Sequence, residues 1–504
     1  MMKMVLKSVL VASLVVLAGW PAVADVVLEV VDECWVAPEE REQVDCYRVL
    51  VPLDRKNPDA GTVDLAVAVL RATTGRPNDD PVMYLEGGPG APVFADGYPA
   101  YEEYSDYWWW MSAPFRRTRD FILFDQRGIG LSRPSLDCVE FHELHDALPI
   151  LMAWDYPLER REVRAAEQCY ERLALEEGID LNQFDTRASA DDVADIVRVL
   201  GYEEVNLWGI SYGSRLALEV MRRHPGIVRA SVIDGVYPGL IDEEIGFASS
   251  VAGAFSNLFE DCEADRQCSR LVPDMASYFS ALITELNEEP REMELFDPHD
   301  GTPAPRVELN GNEIVSSMIG DLYDSDALTL IPLMIGASRR EIGALTYTWG
   351  SGSFGSDGSD EGVFINIGCR ESTTLDFDMV AAETQAEGIF GEATLNWSLI
   401  PFCDVWPVER APLADEGSIV SDIPTLLFSG RYDPITPPAY AELAAETLSN
   451  SRHFVFRSGG HGVTATYNCA TVTAARFFVN PDPRRTPSPR CREYTASATF
   501  ALEF

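Results

Sequence analysis

Basic residues are scarce in this chain. Lys and Arg number 39 against 81 Asp and Glu, a formal net charge of −42 at pH 7. Phosphate binding needs clustered cations, so a nucleic-acid partner is not expected. Such acidity speaks to solubility and to the attraction of cationic ligands, not to fold. A solvated surface suited to salt or an exposed compartment accounts for it better than an electrostatic funnel does. Long apolar runs are missing too. The run Val9–Ala18 is too short to span a membrane comfortably. No C-x-x-C pair occurs among the ten cysteines, which leaves zinc and thioredoxin-like readings weak. Only six histidines are present, so the search for a catalytic base is short.

What remains is a globular composition over 504 residues, enough for one large decorated domain or two. Met1-Met2-Lys3-Met4-Val5-Leu6-Lys7 is a short basic region, Val9–Ala18 follows, and Ala22-Val23-Ala24 offers small residues before Asp25. This predicts a signal peptide over 1–24, cut after Ala24, and a secreted or periplasmic protein. Trp20 stands where a lipoprotein signal would place cysteine, so no lipid anchor and no stable membrane anchor is expected. In an oxidising compartment the cysteines read as disulfides. Connectivity is open from sequence, with a mixture of bridges and free thiols as the alternative. The preferred pairing is sequential: Cys34–Cys46, Cys138–Cys169, Cys262–Cys268, Cys369–Cys403 and Cys469–Cys491.

The chain is organised around Val205–Leu218, which reads as a buried strand, a turn and a helix. Ser211 sits at its apex inside Gly209-Ile210-Ser211-Tyr212-Gly213, a G-x-S-x-G nucleophile elbow. Such a pattern arises by chance in a chain this long with probability on the order of 0.2, so its context must carry the reading. Strands are predicted at Cys46–Leu53 and Val63–Leu70 (a hairpin), Pro81–Leu85, Asp120–Asp125, Ala230–Gly235, Pro424–Gly430 and Phe454–Phe456. Helices are predicted at Ala190–Leu200, after the elbow, and near Ala439–Leu448. Alternating strands and helices predict a mostly parallel central sheet flanked by helices. Between about Pro238 and Asp422 the pattern changes to helices, such as Ile314–Leu322 and Met379–Glu387, and polar loops. That predicts a large, mainly helical cap inserted into an α/β-hydrolase core: core 25–237, cap 238–422, core 423–504. Gly350–Gly362 reads as a flexible loop. Its acidic part is not a calcium loop, because Gly368 stands where the closing Glu is needed.

A serine hydroxyl needs a base, and the base a carboxylate. In α/β-hydrolases they follow the serine in the order acid, then histidine. Past the cap only His453 and His461 remain. His453 opens a strand and reads as structural, whereas His461 sits in the loop Ser458-Gly459-Gly460-His461-Gly462 after the last strand. Asp433 follows the strand ending at Gly430, unlike Asp404, Asp415 and Asp422. The expected triad is Ser211, Asp433 and His461. Donors for the oxyanion are expected from the N–H groups of Tyr212 and of Gly88 in Gly87-Gly88-Pro89-Gly90, since Pro89 has none. Ser211 at the elbow excludes an epoxide-hydrolase or dehalogenase mechanism, which needs a carboxylate there. No metal or organic cofactor is implied.

Gly87–Gly90, Asp125-Gln126-Arg127-Gly128-Ile129-Gly130-Leu131-Ser132, Gly209–Gly213, Gly430–Pro437 and Gly460-His461-Gly462 occur in that order. Together they resemble the proline iminopeptidase and tripeptidyl aminopeptidase family of α/β-hydrolases. The larger, secreted tripeptidyl-aminopeptidase-like branch with a C-terminal extension is the nearer likeness. Cys369 with Glu371, and Cys403 with Trp406-Pro407, resemble that branch as well and support the Cys369–Cys403 pairing. The resemblance implies a secreted serine aminopeptidase that works through an acyl-enzyme on Ser211. It would release tripeptides, or N-terminal proline and small apolar residues. Glu86 replaces the histidine that smaller relatives carry before G-G-P-G, so their proline preference is not transferred. An exopeptidase needs a carboxylate for the substrate ammonium, and Glu371 is the residue proposed, an ordinary surface or disulfide-loop glutamate being the alternative. The competing functions are a carboxylesterase or lipase-like hydrolase with the same triad, and an inactive binding protein.

Overall fold

A computed structural model describes residues 26–38, 43–74, 77–94, 100–146, 158–296, 303–346 and 360–503. The expected signal peptide and residues 350–359 of the expected loop lie outside them.

Nine strands form the main sheet: β1 (Val27–Val31), β2 (Val44–Pro52), β3 (Thr62–Leu70), β4 (Asn78–Leu85), β5 (Arg119–Phe124), β6 (Val205–Ile210), β7 (Val228–Asp234), β10 (Thr425–Gly430) and β11 (Ser451–Phe456). Two more strands, β8 (Arg291–Phe296) and β9 (Pro303–Leu309), pair as a separate ribbon. The sheet order is β1-β2-β3-β5-β4-β6-β7-β10-β11. β1, β2, β3 and β5 pair antiparallel, and every pairing from β5 through β4, β6, β7 and β10 to β11 is parallel. The fold is that of an α/β-hydrolase.

The central strands are apolar on both sides because helices cover both faces. In β6, Val205 and Leu207 join one core with the helices Thr186–Val199 and Tyr212–Arg223. Trp208 and Ile210 point the other way, into a core with Trp108, Met111 and Phe115 of the helix Ala100–Arg116 and Phe477 of the helix Asn468–Val479. Asn206, buried in the same strand, is satisfied: its Nδ2 donates to Asp80 and Pro81 carbonyls, and its Oδ1 accepts from Arg229. The helix Ala100–Arg116 and strand β1 were not predicted. The helix carries Pro114 near its end and consecutive tryptophans on several sides, which blur its period.

The interval 238–422 divides in two. Residues from Val251 to Leu345, with Ala393, pack around Phe255, Phe279 and Met318 as a second core, which Tyr432 after β10 and Phe500 join. The helix Glu361–Glu371 instead contributes Val363, Ile365, Ile367 and Cys369 to the sheet-face core, with Trp406. Asn366 pins it there by donating to the Leu181 and Phe184 carbonyls while its Oδ1 accepts the Trp406 indole N–H. The expected flexible loop therefore ends earlier than its composition implies. Asp360 is buried, and Glu361 and Gly362 already belong to the helix. Packing against Leu136 and Cys138, where a Cβ on Gly362 would stand 2.1 Å from the Leu136 carbonyl oxygen, overrides local polarity. The cysteines are bonded Cys34–Cys46, Cys138–Cys169, Cys262–Cys268, Cys369–Cys403 and Cys469–Cys491. No described helix is long and apolar enough to cross a membrane.

Candidate active site

The site forms at the carboxyl ends of β4, β6, β7 and β10 and in the turn after β11. Ser211 is the hinge between β6 and its helix, with φ 57° and ψ −126°. Such a conformation costs a non-glycine residue on the order of 1–3 kcal/mol and persists only where the surroundings enforce it. Here the Ser211 N–H donates to the Asp234 carbonyl at 2.9 Å, and its carbonyl accepts from the Ser214 N–H and Oγ. The two motif glycines are steric requirements. A Cβ on Gly209 would lie 2.2 Å from the Gly213 carbonyl oxygen, and one on Gly213 would lie 1.9 Å from that of Leu85.

Asp433 and His461 meet beside this turn. His461 Nδ1 and Asp433 Oδ2 are 2.8 Å apart, with side-chain exposures of 3% and 0%. The Asp433 carboxylate also accepts the Ile435 and Thr436 N–H groups and the Thr436 hydroxyl. Burial by itself would push the Asp433 carboxyl up. The neighbouring imidazole and these donors outweigh it and hold the group below the usual carboxylate range. Burial likewise opposes a charged His461, but Asp433, with a smaller contribution from Asp234, raises its pKa above the ordinary imidazole value. The other ring nitrogen, Nε2, is buried and has no hydrogen-bond partner among the described residues. The Ser211–His461 bond is thus unformed, as is common before substrate draws such a pair together. Gly235 makes room for the ring: a Cβ there would stand 2.8 Å from His461 Cε1.

The Gly87–Gly90 loop runs past the serine, close enough that a Cβ on Gly87 would lie 3.0 Å from Ser211 Cβ. The Gly87 N–H donates to the Glu86 carboxylate at 2.8 Å. The Gly88 backbone is exposed, with φ +100°. Tyr212 opens its helix, so its N–H has no intrahelical acceptor, and the helix dipole adds positive potential there. The Asp125–Ser132 stretch is a brace for this loop. Gln126 Nε2 donates to the Glu86 carbonyl at 2.9 Å. Asp125 accepts the N–H groups of Val93, Phe94 and Leu131. Burial pushes its carboxyl up to about 7 although those donors pull the other way. Arg127 forms a bidentate pair with Asp192, both side chains 1% exposed.

Next to the elbow lies a small, partly open pocket lined by Pro89, Tyr212, Arg215 and Phe364 among others. Glu371 lines it and is 3% exposed. Its Oε1 accepts the Thr186 N–H at 2.8 Å, and the Thr186 hydroxyl bonds the Tyr212 hydroxyl at 2.8 Å. Its Oε2 is buried without a hydrogen-bond partner among the described residues, and lies 4.0 Å from Arg215 Nη1. Burial raises the Glu371 pKa, with Arg215 and Thr186 offsetting it in part. His453, expected to be structural, bonds Ser429 at 3.0 Å between neighbouring strands, and burial lowers its pKa to about 4. Thr436, Gly235 and Asp234 are site residues that sequence reasoning missed. Thr436 alone left a signal, three residues after Asp433.

Residues 80–288 match the family model for the alpha/beta hydrolase fold, and residues 388–488 match that for TAP-like proteins. The chain is 25% identical over 450 residues to the serine protease Hip1 of Mycobacterium tuberculosis, covering 82% of each chain. It is 30% identical over 220 residues to the tripeptidyl aminopeptidase of Streptomyces lividans, covering 40% of this chain and 39% of that one. A third relative is the probable proline iminopeptidase of Streptomyces coelicolor, 26% identical over 298 residues, 58% of this chain and 70% of the other.

Proposed function

This chain belongs to the α/β-hydrolase family of the proline iminopeptidases and tripeptidyl aminopeptidases and is a serine peptidase; from that premise we propose that it is a secreted exopeptidase acting at free peptide N-termini through an acyl-enzyme on Ser211. Ser211 Oγ attacks the scissile carbonyl while His461 Nε2 takes its proton. Asp433 fixes the His461 tautomer and stabilises the imidazolium. The N–H groups of Gly88 and Tyr212 receive the developing oxyanion. The imidazolium then returns the proton to the departing amine. Water, deprotonated by the same histidine, releases the acyl group.

The observation that carries the exopeptidase reading is Glu371. A buried carboxylate that lines a pocket beside the nucleophile, with one oxygen lacking a hydrogen bond and only Arg215 4.0 Å away as counter-charge, can take a second cation at hydrogen-bond distance. The α-ammonium of a peptide supplies that cation and sets how far the scissile bond lies from the N-terminus. A free carboxylate oxygen is of no evident use to a lipase-like acyl pocket. Ten cysteines in five bridges support an oxidising compartment, and with it the signal peptide over 1–24.

The test is mass spectrometry of a peptide mixture incubated with the mature protein, half of it N-acetylated, with Ser211→Ala as the blank. Shortening of the free-N-terminus peptides alone supports the reading, and the fragment length separates single-residue from tripeptide release. Cutting of both sets equally, or of neither, refutes it, and acyl esters become the next substrates.

A further inference from the structure

His461 lies in a turn that is held from two sides. On the core side, Asp234 at the end of β7 accepts the Thr464 N–H and hydroxyl at 2.5 and 2.7 Å. That contact fixes the short helix Val463–Thr466, which begins two residues beyond His461. On the other side stand residues of the insertion. The helix Gly311–Tyr323 ends against the turn. The Tyr323 carbonyl accepts the His461 N–H at 2.9 Å, and Ser325 Oγ accepts the Gly460 N–H at 3.0 Å. The Tyr323 ring lies over the imidazole with centroids 4.2 Å apart and planes 32° apart. Gly460 permits the approach, since a Cβ there would stand 2.5 Å from the Leu322 carbonyl oxygen and 2.6 Å from that of Tyr323.

We propose that Tyr323 and Ser325 are positioning residues for His461, so that the base is assembled only when the inserted helical layer is seated on the sheet. The proposal rests on His461 being the base. The same helix buries Ile314, Val315, Met318, Ile319 and Leu322 in the core built mainly by the insertion. That core also takes in Tyr432 of the turn beside Asp433, so the helix end and the acid's turn are packed as one unit. Displacement of the insertion removes the acceptor of the His461 N–H, the acceptor of the Gly460 N–H and the ring that limits imidazole rotation, all at one contact. The charged groups facing the imidazole are Asp433 and Asp234, both from the core side. Tyr323 adds a π face, which favours the imidazolium formed during turnover.

The experiment compares Ser325→Ala, Tyr323→Leu, Tyr323→Phe and His461→Ala on one peptide substrate, with thermal midpoints as a check on folding. Ser325→Ala is expected to lower kcat by about 2- to 13-fold, the worth of one hydrogen bond, with KM unchanged. Tyr323→Leu is expected to lower kcat and to move the acid limb of kcat/KM down by about half a pH unit, because the imidazolium loses its π partner. Tyr323→Phe keeps the ring and should keep the limb. A role in packing alone would shift the midpoints and leave the limb where it is. Wild-type kcat and limb in both Ser325→Ala and Tyr323→Leu, beside an inert His461→Ala, would overturn the positioning role while leaving the base in place. Activity retained in His461→Ala would remove the base and this proposal with it. If Tyr323→Leu does not fold, kcat of Ser325→Ala decides by itself.

Discussion

Glu371→Gln separates recognition from scaffolding with a change of one atom. In the native site Oε1 accepts the Thr186 N–H at 2.8 Å, and a glutamine oxygen accepts it equally well. Oε2 has no hydrogen-bond partner among the described residues, so its replacement by an amide nitrogen breaks no bond inside the protein. The attraction to Arg215 across 4.0 Å is lost, and the cost of burying a carboxylate is lost with it. These oppose each other only in part, because Arg215 stays buried without this counter-charge, so unfolding free energy should fall by up to about 3–5 kcal/mol with the fold kept. The substrate feels the change differently. A charge-assisted hydrogen bond to an ammonium is worth about 1.5–3 kcal/mol, which converts to a loss of about 13- to 160-fold in kcat/KM. The assay uses three substrates: a peptide with a free N-terminus, its N-acetyl form, and an acyl ester without an amine. Only the first should lose rate. In wild type, KM for that substrate should also rise as pH falls through the raised Glu371 titration, because protonation removes the counter-charge; in the variant this dependence should vanish. A parallel loss on the ester would show that Glu371 acts through Thr186 and Tyr212 on the elbow. No loss on the free peptide would refute ammonium recognition outright.

Three further outcomes follow from the same geometry. Because Asp433 and Asp234 together outweigh burial and raise the His461 pKa, kcat/KM should fall with decreasing pH through a midpoint above the ordinary imidazole value; a flat profile from about pH 4 to 8 would contradict it. Asp125→Asn must turn an amide NH₂ toward the Leu131 N–H or toward those of Val93 and Phe94, so urea unfolding should show a loss of about 2–4 kcal/mol, and an unchanged midpoint would sink the bracing role. Replacing Cys369 and Cys403 together by serine opens a closure of 34 residues; loop entropy then sets a loss of about 4 kcal/mol, read as a lowered melting temperature.

Local chemistry was legible in the sequence because it depends on neighbours along the chain. The turn around Ser211 needs a small residue at Gly209, whose Cβ would strike the turn's own Gly213 carbonyl, whereas the clash that Gly213 avoids is with Leu85 of β4. The continuous apolar strands and the period-3.6 helices from Pro81 to Gly235 record a sheet covered on both faces, and the order Ser211, Asp433, His461 follows the order of the strands that carry them. Contacts between distant segments left no such trace. Glu371 lies in the helix Glu361–Glu371, yet its partner is the Thr186 backbone, and its burial follows from the sheet-face core that takes up that helix. Asp360 ends a polar, glycine-rich stretch, but the Gly130 N–H and the Gly90 carbonyl draw it inside. Tyr323 and Ser325 are unremarkable as residues and touch His461 and Gly460 only because the insertion folds back over the turn. Periodicity and turn chemistry are short-range and survive in one dimension. The pairing of a charge in one layer with a backbone donor in another depends on how those layers pack, and only the tertiary structure decides it.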